Sequence, residues 1–205
     1  MTNLNLQKFF EENVEDDDPI YGAQCRCAVT LKDGLHLPCV ILRKTAPTVD
    51  LASRRFEEER KGKGIFGKSK KAYRDIVQSF VTSGSTVNNY NIESVSVSPY
   101  SLPPEVMKNI EGESMMSWTA WVLEMSDGAV FSYGSTFLFD FFELPDGYNF
   151  NDVAKVHNHS YVNQSGEVIS IFEDRESYIM KLEANNQSRV FRERPSFTCY
   201  FDKTP

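Results

Sequence analysis

The amino-acid sequence predicts an α+β protein: a curved, largely antiparallel β-meander or a partly closed barrel, with a few short helices contributed mainly by the N-terminal half. From about Tyr90 onward, short β-rich runs alternate with turn signals such as Asp127-Gly128 and Asp146-Gly147. No long helical pattern separates these runs, so parallel strands joined by crossover helices are not expected. The predicted sheet is therefore antiparallel, with a small helical layer beside it.

The bulk composition is that of a globular protein. The chain has 205 residues, of which 40% are hydrophobic and 25% are charged. No apolar run reaches the roughly 18 residues of a membrane span, and the first residues lack the pattern of a secretory signal. We therefore expect a cytoplasmic protein with a single domain over 1–205. Its three parts are a helix and acidic linker at 1–19, a hairpin and helices at 20–86 that include a basic loop at 61–71, and a β-rich body at 87–205.

The first elements follow from apolar spacing and one tight turn. Residues 3–13 are predicted to be helical because four apolar side chains recur at helical spacing: Leu6, Phe9, Phe10 and Val14. Two β-rich runs then flank Asp33-Gly34, a favoured pair for a hairpin turn. Pro38 suggests that the second strand of this hairpin lies at a sheet edge, since proline cannot donate a backbone hydrogen bond.

Three further helices are expected. Asp50 can cap a helix that runs to about Lys61, and a short helix is predicted over 103–112, with Pro104 in its first turn and Gly112 at its end. The strongest helical pattern covers 70–84, where Ser69 can cap the start and one face carries Tyr73, Ile76, Val77, Phe80 and Val81.

The remaining elements are predicted as short strands separated by turns. The β-rich runs are 89–98, 117–125, 129–133, 136–142, 153–162, 167–172, 177–182, 188–191 and 196–201. The run at 177–182 also fits a helix, but the Asn185-Asn186 pair after it favours a strand followed by a turn.

Residues 62–69 read GKGIFGKS, a complete match to the phosphate-loop pattern G-x-x-x-x-G-K-[ST]. In a true phosphate loop Lys68 would reach the outer phosphates and Ser69 would reach magnesium. Such a loop leaves a buried apolar strand, whereas this one follows the charged run FEEERK, and the downstream sheet looks antiparallel. A nucleotide bound with magnesium is therefore an alternative to the favoured interpretation, which is a surface loop.

The same segment carries most of the positive charge. From Arg54 to Arg74 the chain has nine basic and four acidic residues, so this segment has a charge of +5 and the remainder about −12 within the net −7. Cations at a helix start oppose its dipole, and an anion or an acidic partner would relieve that repulsion. The candidate anion- or partner-binding residues are Lys63, Lys68, Ser69, Lys70, Lys71 and Arg74.

A second possible site is the pair His157 and His159. On a strand, positions i and i+2 face the same side, so the two imidazoles could share a divalent metal. No glutamate stands five residues after His159, where Gln164 lies, and the only other histidine, His36, is far upstream. Two polar residues near a turn are the competing interpretation, and no cofactor is predicted.

The favoured function is a non-catalytic cytosolic binding protein that engages a protein partner through charged surfaces, of the inhibitor or immunity class. Net charge −7 argues against a general nucleic-acid binder, so nucleic acid is expected only through 54–74. No catalytic residue is predicted. The alternatives are a phosphate-loop enzyme, a metal-dependent β-barrel enzyme using His157 and His159, and a barrel for a small apolar ligand. An exposed aromatic beside a charged rim would mark a partner interface.

Overall fold

The computed structural model describes residues 3–15, 21–60, 78, 81, 85–114, 119–135, 140–163, 165–173 and 192–203. The chain forms two compact units. Unit 1 comprises Met1–Pro99 with Pro195–Pro205, and unit 2 comprises Tyr100–Arg194. The single domain expected over 1–205 stays a prediction.

The described helices are α1 (Asn3–Asn13), α2 (Thr45–Arg60) and α3 (Pro104–Met107). The described strands are β1 (Gln24–Leu31), β2 (His36–Arg43), β3 (Ile92–Val97), β4 (Thr119–Met125), β5 (Val130–Ser135), β6 (Phe142–Glu143), β7 (Val153–Asn158), β8 (Ser160–Val162), β9 (Val168–Ser170), β10 (Arg192–Glu193) and β11 (Phe197–Tyr200).

Unit 1 is built on a four-stranded sheet with the order β11-β2-β1-β3. The β1–β2 hairpin forms as predicted, because Gly34 adopts a positive φ of 87° and Asp33 Oδ1 accepts the backbone N–H of Leu35. β3 pairs antiparallel with β1, whereas β11 pairs parallel with β2. The C-terminal strand thus returns to the sheet that the N-terminal hairpin begins.

The expectation that β2 lies at an edge is wrong. β2 is flanked by β1 on one side and by β11 on the other. Pro38 is tolerated because the β1–β2 register shifts there: Pro38 and Cys39 together oppose Ala28 in a β-bulge. The pairing with β11 begins only at Val40, so the missing N–H of Pro38 breaks no ladder on that side.

The core of unit 1 lies between α1 and one face of this sheet. Leu6 and Phe10 of α1 are buried, and the Phe10 ring lies 4.7 Å from the Phe201 ring. The buried sheet residues that share this core are Cys25, Cys27, Val29, Val40, Leu42, Ile92 and Cys199. The apolar spacing that predicted α1 therefore also identifies the face that it buries.

The helix α2 begins at Thr45, five positions before the cap that the sequence suggested. The carboxylate of Asp202 accepts the backbone N–H of Thr45 at 2.9 Å and its hydroxyl at 3.2 Å. Asn89 Nδ2 donates to the carbonyl oxygens of Phe201 and Lys203, which holds Asp202 in place. A carboxylate distant in sequence supplies the cap, and Asp50 lies inside the helix.

Unit 2 contains small antiparallel sheets. The three-stranded sheet has the order β5-β4-β7, and β8–β9 and β10–β6 form two-stranded pairs. Three aromatic rings pack together in the core of unit 2: Trp121 lies 5.5 Å from Tyr133 and 5.7 Å from Phe142. These pairings confirm a mixed α+β protein with antiparallel sheets and few helices. Among the described strands no sheet closes into a barrel.

Several predicted elements lie outside the described residues: the basic loop 61–71, the strands at 177–182 and 188–191, and most of the helix at 70–84, of which only Gln78 and Val81 are described, both helical. Within the described ranges, no helix combines the length and the apolar character that a membrane crossing requires.

Candidate functional site

The negative charge of the chain is concentrated in unit 2. Residues 100–194 contain 15 acidic and seven basic residues, a net charge of −8. Unit 1 therefore carries +1 of the total −7. Of the −12 predicted for the remainder of the chain, −8 thus lies in unit 2 and −4 in the part of unit 1 outside 54–74.

Most of the acidic side chains of unit 2 face solvent. Among its described side chains, nine acidic ones are exposed against two basic ones, Lys108 and Lys155. The nine are Glu105, Glu111, Glu113, Asp127, Glu143, Asp146, Asp152, Glu167 and Glu173. Exposed like charges give a negative surface potential that attracts a basic partner and extends about 10 Å at moderate salt.

The two histidines of the H-x-H motif have different carboxylate partners. His157 lies on β7 opposite Val122, and its Nε2 lies 2.6 Å from Oε2 of Glu124 on β4. β7 ends at Asn158, and His159 has a φ of 49°, in the left-handed region. The extended backbone that would place both rings on one face is therefore interrupted at His159.

His159 is held on both sides of its ring. Its Nδ1 lies 3.0 Å from Ser114 Oγ, and its Nε2 lies 3.0 Å from Glu111 Oε2. The carboxylate accepts from Nε2, so in the neutral ring Nδ1 is left as an acceptor for the Ser114 hydroxyl. Asn158 positions this carboxylate, since its Oδ1 accepts the Glu111 backbone N–H and its Nδ2 donates to the Asn109 carbonyl.

Ser114, His159 and Glu111 follow the order of a catalytic triad, but the serine is not placed to attack a substrate. Ser114 is only 5% exposed, and its Oγ accepts the backbone N–H of Ala120 at 3.1 Å. A nucleophile must reach the substrate and have its lone pair available. The hydrogen bonds of Ser114 therefore position His159 and tie the start of β4 to the loop before it.

A metal shared by His157 and His159 stays a prediction. Over the described ranges, no group of three or more His, Cys, Asp or Glu side chains is arranged to hold a metal ion. The other predicted site residues, Lys63, Lys68, Ser69, Lys70, Lys71 and Arg74, lie outside the described residues.

An exposed aromatic residue lies against His159. Phe172 is 59% exposed, and its ring centroid lies 5.4 Å from that of His159. The turn that carries it is fixed, because the fully buried Ile171 donates its backbone N–H to the His159 carbonyl at 2.8 Å. The next residue, Glu173, is exposed. We call Glu111, His159, Phe172 and Glu173 the Phe172 patch.

The four cysteines, Cys25, Cys27, Cys39 and Cys199, are free and buried. Burial raises the pKa of Cys25 to about 12. Burial, followed by the negative charge of Asp202, raises the pKa of Cys199 to about 12. Burial also raises the pKa of Cys27, and the neighbouring Cys25 and Cys199 add to this effect. Thiols held in the protonated form are poor nucleophiles and poor metal ligands.

No protein family model, no curated protein and no solved structure matches the chain. The sequence pointed to His159 but not to Glu111 or Phe172, which approach it only through the fold. The signal that could have drawn attention to Phe172 is the run VISIF at 168–172, in which Phe172 follows Ile171 where strict alternation places a polar residue.

Proposed function

We propose that the protein is a cytoplasmic, non-catalytic binding protein whose acidic unit 2 engages a basic protein partner. The observation that carries this proposal is the charge distribution: −8 on unit 2 against +1 on unit 1. Electrostatic complementarity accelerates association and selects the partner. The free cysteines support a reducing compartment.

The Phe172 patch supplies the kind of contact that charge alone lacks. Protein interfaces combine an aromatic anchor with a polar rim. Phe172 is exposed and lies against His159, which also pairs with the exposed Glu111, and the exposed Glu173 follows it in the chain. The larger aromatic cluster of Trp121, Tyr133 and Phe142 is instead buried in the core. A partner could therefore cover an apolar side chain while its positive charges meet the acidic surroundings.

A small apolar ligand, the alternative function for the aromatic residues, would need the partly closed barrel that the sequence predicted. The described strands instead form open sheets of two to four strands. The acidic surface of unit 2 is the feature that favours a macromolecular partner over a small apolar molecule.

Two charge variants test this function. In the first, Glu105, Glu113 and Asp146 of unit 2 are changed to their amides; in the second, Glu11, Glu12 and Glu93 of unit 1 are changed in the same way. All six side chains are exposed, and both variants raise the net charge by three. The probe is an unstructured, fluorescently labelled basic peptide, and affinity is measured by anisotropy.

The unit 2 variant should bind the peptide about tenfold more weakly than wild type, since each exposed ion pair contributes roughly 0.5 kcal/mol. The unit 1 variant should change the affinity by less than about twofold. Equal losses in the two variants would mean that the peptide responds to net charge only, and the proposed role of unit 2 would be wrong.

A further inference from the structure

We propose that the Phe172 patch is a binding site for an arginine side chain of the protein partner. In this arrangement the guanidinium lies over the exposed ring of Phe172 and pairs with the carboxylate of Glu111. The inference rests on the proposed function and adds the chemical identity of the group that the partner must present.

An arginine site of this kind needs an aromatic ring and a carboxylate, and the structure places Phe172 and Glu111 around the imidazole of His159. His159 stands between them: Glu111 Oε2 lies 3.0 Å from its Nε2, and the Phe172 ring centroid lies 5.4 Å from its own centroid. Glu111 keeps 68% of its side chain exposed and Phe172 is 59% exposed. Phe172 and Glu111 are thus both largely exposed, and both contact the same histidine ring.

The same combination occurs inside unit 2, where an arginine of this chain satisfies it. The guanidinium carbon of Arg194 lies 4.1 Å from the centroid of the Tyr100 ring, and its Nη1 lies 3.0 Å from Glu143 Oε2. Over the described part of the chain, no lysine or arginine occupies the equivalent position above Phe172. The partner would supply the cation that Arg194 supplies at Tyr100.

Arginine fits this site better than lysine. Its planar guanidinium stacks on an aromatic face while its N–H groups still reach a carboxylate, and it is more weakly hydrated than an ammonium group. Phe172 also gains from being covered, because a partner that contacts its exposed ring removes apolar surface from water. The guanidinium contacts and the covering of Phe172 are specific to the Phe172 patch, and they add to the general attraction of positive charge by unit 2.

The test compares two unstructured peptides of equal length and charge, one with arginines and one with lysines at the same positions, titrated into the full chain by calorimetry. Wild type should bind the arginine peptide about fivefold more tightly. F172S and E111Q should each remove this preference, and the amide of E111Q can still hold His159. F197S and E105Q are matched controls: Phe197 is an exposed phenylalanine of unit 1, and Glu105 an exposed acid of unit 2.

The arginine site is supported if wild type and both control variants prefer the arginine peptide while F172S and E111Q do not. If the two peptides bind wild type equally and both respond to the unit 2 charge variant, the arginine site is wrong while the proposed function stands. If neither peptide binds, both are wrong.

Discussion

His159 shows how one backbone angle changes the use of a motif. At a φ of 49° it lies in the left-handed region, which a histidine adopts several-fold more often than most residues, although at some cost. The hydrogen bonds to Ser114 and Glu111 hold the ring in this conformation. As a result, the imidazole that a regular strand would have placed beside His157 lies against Phe172 instead.

The buried cysteines predict how stability responds to alkaline pH. Their pKa values are raised on folding, so above the unfolded value of 9.0 the unfolded chain loses protons that the folded chain keeps. Stability is then fully present below about pH 9 and is lost as pH rises toward 12, by about 1.4 kcal/mol per pH unit for each thiol. Urea unfolding between about pH 8 and 10.5 measures this slope.

The variant C25A isolates the contribution of one thiol, since lysines and tyrosines titrate equally in both proteins. Between pH 9 and pH 10 the free energy of unfolding of C25A should fall by about 1 kcal/mol less than that of wild type. Parallel slopes in the two proteins would show that Cys25 does not keep its proton in the folded chain.

At the scale of elements, local signals and distant contacts contribute differently. The limits of α1, the β1–β2 turn and the start of α3 follow from residues within a few positions, so the sequence is sufficient to predict them. The end of α3 is predicted at Gly112, but the helix ends at Met107. The parallel pairing of β11 with β2 and the bulge at Pro38 depend on segments far apart in the chain. Apolar spacing carries no information about which distant strand will be the neighbour.

The N-terminus of α2 gives a direct test of such a distant contact. Because Asp202 accepts both the N–H and the hydroxyl of Thr45, D202A should destabilise unit 1 by about 1 kcal/mol, the usual contribution of a helix cap. D50A, at the cap position that the sequence suggested, should cost less, because Asp50 lies within the helix. Thermal or urea unfolding of both variants checks the order; a larger loss in D50A would contradict the assigned cap.

The candidate site was predictable only in part for the same reason. Composition predicts an acidic body, and the H-x-H spacing points to His159. Neither predicts that Glu111, 48 positions away, pairs with His159, or that Phe172 is exposed beside it. The exposure of Phe172 results from the turn at 170–173, where Ser170 Oγ accepts the backbone N–H of Phe172.

At the scale of the whole molecule, charge separates the two units. Unit 2 carries −8 and unit 1 carries +1, although the basic segment 54–74 and the acidic linker 16–18 both belong to unit 1. A net charge of this size gives unit 2 a negative potential that attracts positively charged molecules. The account therefore depends on unit 2 acting as an electrostatic surface for a macromolecule.

The most direct test of this claim is the salt dependence of affinity for the arginine peptide, measured by calorimetry on the full chain from about 30 to 300 mM NaCl, with an acidic peptide of equal length as control. Steered charge contacts weaken as the screening length shortens. The account predicts that affinity for the arginine peptide falls by at least about tenfold over this range and that the acidic peptide does not bind. An affinity that is independent of salt, or equal for the two peptides, would contradict it.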